Sequence, residues 1–303
     1  MPRLSERSSA DVQAALGRGE LLLRTGPFDF RLRTREPSVL RSLRALYGDF
    51  DTQDARTAVA DFHLRVDRVA GPRRWVRPQV NCWLDGFEPF KPLPADHAFA
   101  MLEWTMNWCI ASHAHHYLML HAACLAHDDG RCVVLPGDPG AGKSTLTAAL
   151  MLSGWRLLTD ELTLIDRVNG DIIGLGRPVN LKNESIALIQ AFAPEAEWGE
   201  LAHDTHKGTV RHLRPSRKSV ELALHPVRAT HLVLPRWRAG AALRFSPVEK
   251  AEAFERVAGH GFNYSLLGRI GFDRLAALVD AAQCLSFEYA SLDEAIAAFE
   301  GLS

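Results

Sequence analysis

Eight consecutive residues, Gly137-Asp138-Pro139-Gly140-Ala141-Gly142-Lys143-Ser144, constrain this chain more than any other stretch. The spacing Gly-x4-Gly-Lys-Ser calls for a strand before it and a helix after it. Gly137, Gly140 and Gly142 let the backbone turn tightly and aim several N–H groups at one point. The following helix adds the positive end of its dipole. Such a P-loop cradles nucleotide phosphates, which makes Gly137, Asp138, Pro139, Gly140, Ala141, Gly142, Lys143, Ser144 and Thr145 the candidate nucleotide contacts. Lys143 is expected to reach the β- and γ-phosphates, and Ser144 to place its hydroxyl on Mg²⁺. The flanks agree. Cys132 to Leu135 is an apolar run, and Ser144 to Leu152 reads as a helix that Gly154 ends.

Around this element the chain reads as α/β. Leu21 to Leu23 and Phe28 to Arg33 read as strands, Ser38 to Leu46 as a helix with Ser38 at its cap, and Asp61 to Val66 and Arg74 to Leu84 as strands. The first ten residues are polar and read as frayed. Pro89, Pro92 and Pro94 mark a boundary, dividing the chain into a small N-terminal α/β unit, 1–94, and a larger domain, 95–303. Asp96 is the candidate cap of a helix apolar on several faces. His121 to Leu125 and Cys132 to Leu135, joined by Asp128-Asp129-Gly130, read as a hairpin feeding the loop. Arg156 to Asp166 reads as a strand region, with Asn169-Gly170 turning it back into Asp171 to Leu175. Glu200 to Lys218 is polar and reads as a long loop, basic from Lys207 on, Val220 to Leu224 and Thr230 to Leu234 read as strands, and the chain from Glu249 as largely helical.

Composition excludes some classes. With 35 basic and 36 acidic residues the net charge is -1, which makes no global case for nucleic acid. Five scattered cysteines without a CxxC pair fit a reduced, cytoplasmic protein. The N-terminus has no apolar signal region, and the most apolar stretch, Ala98 to Ala126, carries Glu103 and four histidines, against a membrane span.

Three features near the loop narrow its use. Asp160-Glu161 ends an apolar strand; carboxylates there can hold Mg²⁺ or take a proton from an attacking hydroxyl. His121 opens the strand that pairs into the loop and can tune that acidic pair or be a satisfied, partly buried histidine. The preceding hairpin puts antiparallel strands beside a loop usually found in parallel sheets.

Leu120-His121-Ala122-Ala123, the loop, and Arg156-Leu157-Leu158-Thr159-Asp160-Glu161 together resemble the catalytic domain of HPr serine kinase/phosphorylase. That likeness covers about residues 118–185. With Glu103-Trp104, Asn107-Trp108 and Arg77-Pro78-Gln79 the chain resembles the HprK-related kinase A group nearly end to end. The resemblance implies a P-loop kinase fold of the HprK and phosphoenolpyruvate carboxykinase type, with a mixed sheet. It implies ATP and Mg²⁺ as cofactors, Lys143 and Ser144 as phosphate and Mg²⁺ contacts, Asp160 as the base, and His121 beside it. Asp160 and Glu161 join Ser144 as the metal residues, Glu161 standing where the parent has a second aspartate. The acceptor implied is a serine hydroxyl of a small protein or peptide, and the parent's hexamers imply a homo-oligomer. The parent's glutamate-valine-arginine-glycine-leucine signature is absent, and Gly176 to Lys182 occupies its place, so phosphorolysis is not implied.

Arg177 and Lys182 are candidates for neutralising phosphate charge, against a reading as solvated cations. Lys207 to Lys218 can close over nucleotide or acceptor, or simply be solvated. His113, His115 and His116 lack acidic or cysteine partners at zinc spacing. Trp104 and Trp108 read as core rather than a stacking platform, Arg73, Arg74 and Arg77 as a solvated edge, and the cysteines as inert. Two rivals stand beside the protein kinase: a small-molecule kinase, and a nucleotide-gated binding module with little chemistry.

Overall fold

The computed structural model describes residues 1–302, apart from the side chain of Arg74. In chain order the elements are α1 (Ser9–Arg18), β1 (Leu21–Thr25), β2 (Phe28–Thr34), α2 (Pro37–Leu46), β3 (Thr52–Asp54), β4 (Phe62–Arg68), β5 (Gln79–Leu84), β6 (Leu93–Pro94) and α3 (Ala98–His113). Then come β7 (Tyr117–Leu120), β8 (Ala122–Ala126), β9 (Cys132–Pro136), α4 (Lys143–Leu152), β10 (Arg156–Thr159), β11 (Thr163–Asp166) and β12 (Ile172–Ile173). They are followed by β13 (Val179–Lys182), α5 (Glu184–Phe192), β14 (Ala202–Thr205), β15 (Gly208–Leu213) and α6 (Arg217–Glu221). The chain ends with β16 (His231–Trp237), β17 (Arg244–Pro247), α7 (Lys250–Ala258), α8 (Tyr264–Leu267), α9 (Arg269–Ala281), β18 (Gln283–Tyr289) and α10 (Leu292–Glu300). The protein is a mixed α/β fold with four sheets among the described residues.

Contacts divide the chain into two units of nearly equal size, not at Pro94. One comprises Met1–Ile110 with Asn180–Glu221, the other Ala111–Val179 with Leu222–Ser303. The first unit carries a six-stranded sheet, β3-β1-β2-β4-β5-β6. It recruits the later segment through long-range contacts that no local pattern announces: Arg214 pairs with Asp49 at 2.7 Å, and His212 stands edge-on to Phe99.

The second unit is built on the sheet β10-β8-β9-β16-β18-β17. β16 runs parallel to β9 and β18, and the remaining pairs are antiparallel. Every residue of β8 and β9 is buried, as expected for central strands covered on both faces. On one face Cys124, Val134 and Leu232 pack with Val257 of α7 and Leu275 and Val279 of α9. On the other, α10 brings Phe299 against Phe287 and Trp155.

Several expectations are corrected. The N-terminus is tied down: Leu4 is fully buried and its N–H donates to Phe50 O at 2.9 Å. Glu36, not Ser38, precedes the helix, and Pro37 opens it with its preset φ. Residues Pro72 to Arg74 form a 3-10 turn, so the strand there begins only at Gln79. Arg156 to Asp166 is two strands in two sheets, broken at 160–162. The expected loop 200–218 is the hairpin β14–β15 followed by α6; its exposed polar residues hid the alternation, and Gly208 turns it with φ 84°. Val220 belongs to α6, where Ser216 Oγ accepts the Ser219 N–H at 3.2 Å. The chain from Glu249, read as largely helical, also contains the strand β18.

Candidate functional site

Residues 137–142 leave the carboxyl end of β9 and enter α4 at Lys143. Gly140 and Gly142 sit at φ 88° and 87°, the left-handed region where glycine is at ease. No side chain among the described residues caps α4, so its first N–H groups face the loop, the arrangement that suits an anion. Lys143 is 8% exposed; its ammonium donates to Gly137 O and lies 3.4 Å from Asp138 O. The cation is thus folded into the ring of the loop.

Two strands the sequence reading did not connect to the loop hold it. The Trp237 N–H, at the end of β16, donates to Ala141 O at 3.1 Å. The Tyr289 hydroxyl, at the end of β18, donates to Gly142 O at 3.1 Å. Both contacts come from the carboxyl ends of parallel strands, where open α/β sheets place their ligands.

Register locates the acidic pair. Thr159 lies opposite Cys124 on β8, and Thr163 lies opposite Leu120 on β7. The turn holding Asp160 and Glu161 therefore spans the junction at His121 and Ala122. The Thr163 hydroxyl donates to Ala122 O at 2.9 Å, and the Leu162 N–H to Thr159 Oγ1 at 3.1 Å, which fixes that turn. Asp160 is only 6% exposed. Leu158 O accepts from the N–H groups of both Leu175 and Gly176, which lays the segment carrying buried Arg177 along β10. Arg156, in the same motif, is structural: it donates to Leu222 O at 3.1 Å and His225 O at 3.2 Å.

His260 escaped the sequence reading. Its carbonyl accepts the His121 N–H at 2.7 Å, the two rings stand 6.4 Å apart, and its Nε2 lies 3.9 Å from Asp138 Oδ1. Burial pushes this imidazole below its ordinary value; Asp138 pulls it up and Lys143 pushes it down. Its signal in the sequence is faint: two glycines, 259 and 261, flank it and allow close backbone approach.

A cleft of about 1100 Å³ opens beside the loop, lined by Gly137, Asp138, Arg236, Arg244, Arg256, Glu252, Glu255, Glu288 and His260 among others. Glu288 is shared by Arg236, Arg238 and Arg244 at 3.9, 3.6 and 3.8 Å, so guanidinium donors outnumber the carboxylate between them.

Other candidates lie elsewhere. Lys182 ends β13 in the first unit, apart in sequence assignment from the loop's unit. Within the basic segment, Arg211 donates to Gly199 O and covers Trp198, Arg214 pairs with Asp49 and Glu197, and Arg217 pairs with Glu221. Trp108 packs against Phe87 and Phe90, while Trp104 meets His206 edge-on and lies under the Lys207 ammonium. Arg73 and Arg77 are exposed; the Arg74 side chain lies outside the described residues. His116 packs on Tyr117, and among the described residues no group of three or more His, Cys, Asp or Glu is arranged to hold a metal ion. That arrangement is not what Mg²⁺ requires, since Mg²⁺ is commonly held by one or two carboxylates with phosphates and water. Among the described residues no helix is long and apolar enough to cross a membrane.

No family model matches the chain, and no curated protein matches it. Among solved structures it is similar to the Hpr(Ser) kinase/phosphatase from Coxiella burnetii, at 12% identity over 60% of this chain and 95% of that one. The TM-score is 0.25, too low for the likeness to place any residue.

Proposed function

We propose that this chain is an ATP- and Mg²⁺-dependent phosphotransferase of the P-loop, HprK-like kind, acting on a hydroxyl, most simply a serine of a small protein or peptide. One observation carries the reading: the Gly-x4-Gly-Lys-Ser loop joins a fully buried strand to an uncapped helix, with Lys143 folded inside it. The donor set fits a polyphosphate, because backbone N–H groups, a dipole end and one ammonium converge there. The residues that would hold Mg²⁺ are Ser144, Asp160 and Glu161. The ion would neutralise charge on the phosphates.

The chain's own residues supply the rest. Lys143 holds the phosphates. Asp160, buried at the end of β10, takes the acceptor's hydroxyl proton. His121, at the junction this turn spans, orients the carboxylate. Buried Arg177 supplies positive charge from the neighbouring segment. Catalysis of this type is positioning plus charge stabilisation. Action in the cytoplasm, on a partner other than nucleic acid, as a homo-oligomer, completes the proposal.

Incubation with γ-labelled ATP, Mg²⁺ and serine-containing peptides encoded by adjacent genes, read by mass spectrometry, tests it. Label on a serine is expected with the natural chain and not with Asp160→Asn. Near-normal turnover by Asp160→Asn would refute the assignment of the base.

A further inference from the structure

His260 is anchored more firmly than a residue in an inter-helix turn requires. Its own N–H closes α7 on Val257 O at 2.9 Å. Gly261 bridges Leu120, and the Phe262 N–H donates to Met119 O at 2.9 Å. Asn263, 3% exposed, completes the ladder with its side chain: it donates to Tyr117 O at 2.8 Å and accepts the Met119 N–H at 2.9 Å. The turn is laid along β7 like an added strand, and its one titratable residue is delivered between His121 and the P-loop.

Asp138 and Lys143 of the loop and His121 of the β7–β8 junction are the neighbours of this ring. Glu252, Glu255 and Arg256 of α7, and Arg236, Arg244 and Glu288 of β16, β17 and β18, line the same cleft. The Asp138 carboxylate is 90% exposed and 3.9 Å away, which does not outweigh burial and the buried Lys143 ammonium. Burial and the Lys143 ammonium thus hold the ring below its ordinary value. A triphosphate in the loop brings several negative charges within reach of the ring and engages Lys143. Both changes favour the imidazolium.

We propose that His260 contacts the phosphates bound in the 137–144 loop and takes up a proton from solvent as they bind, so that pH sets nucleotide affinity through this residue. The proposal rests on the phosphate-binding reading of the loop. It adds a phosphate donor from outside the motif: the protonated Nε2–H gives a charge-assisted hydrogen bond to a phosphate oxygen.

The test is calorimetric titration of the full chain with MgATP from about pH 6 to about pH 8, the window in which histidine titrates, in buffers of different ionisation heat. The natural chain should take up as much as one proton per nucleotide, with affinity falling by up to about tenfold per pH unit as pH rises. His260→Gln should lose that uptake and keep only the slope due to the phosphate's own titration near about pH 6. Ring-proton NMR of the natural chain needs no altered fold: the His260 midpoint should rise on adding MgATP. An unmoved midpoint, or a glutamine variant with the natural pH slope, overturns the role of His260 and leaves the loop assignment standing. Absence of MgATP binding to the natural chain overturns both.

Discussion

The hydroxyl of Tyr289, at the last residue of β18, donates to the carbonyl of Gly142, the residue before the P-loop lysine, at 3.1 Å. A Cβ on Gly142 would strike that hydroxyl and lie 2.9 Å from Trp237 Cβ, at a backbone φ of 87°. Gly142→Ala should therefore cost about 1–3 kcal/mol in stability from strain and overpacking. It should also displace the loop and weaken MgATP binding by more than tenfold. Urea unfolding and calorimetry read the two effects separately.

Tyr289→Phe keeps the ring and removes only the hydrogen bond. The loss should be about 1 kcal/mol. Since the bond grips the loop rather than the core, thermal melting with MgATP should show a smaller ligand-induced rise than the natural chain gives.

Arg156 sits in the motif that suggested a catalytic stretch, yet its guanidinium joins β10 to the carbonyls of Leu222 and His225. Arg156→Met should cost about 1–3 kcal/mol by leaving those carbonyls unmatched. The KM for ATP should stay within about threefold, because the carbonyls its guanidinium holds lie outside the loop. A large KM change with normal stability would place Arg156 in the site instead.

All five cysteines are buried. Burial pushes the Cys82 thiol up to about 11, from an ordinary value of 9.0. A thiol-reactive dye should find no fast-reacting sulfur in the native protein and five after denaturation. The folded state keeps a proton that the unfolded chain releases, so the contribution of Cys82 is whole below pH 9.0 and is lost as pH rises from there through about 11. The loss should approach about 1.4 kcal/mol per pH unit in urea melts, and Cys82→Ala should flatten it.

What was legible in the sequence was local. The loop could be read because Gly140, Gly142 and Lys143 stand at the fixed spacing that calls for a tight turn between a strand and a helix. The hairpin before it could be read because Gly130 turns between two apolar runs. Asp160 stood out because an acidic pair closed an apolar strand. His260 was invisible: what positions it is a carbonyl accepting from His121 and an asparagine completing a ladder with β7, and neither leaves a local trace. β18 was masked by the helices on either side, although its alternating burial is that of a strand with one face in the core. The basic segment 207–218 read as a closing or merely solvated loop because its partners, Asp49 and Trp198 among them, are distant in sequence or not charged.

The chain passes between its two units three times, after Ile110, after Val179 and after Glu221. On the ribosome this sets an order of assembly. When the loop 137–142 emerges, the first unit still lacks most of β13 and all of α5, β14, β15 and α6. When these arrive and complete it, the loop's own sheet still lacks β16 and β18, whose ends clasp Ala141 and Gly142. The loop 137–142 is thus among the last parts of the molecule to close, and nascent chains halted before Tyr289 should carry the complete motif without its grip.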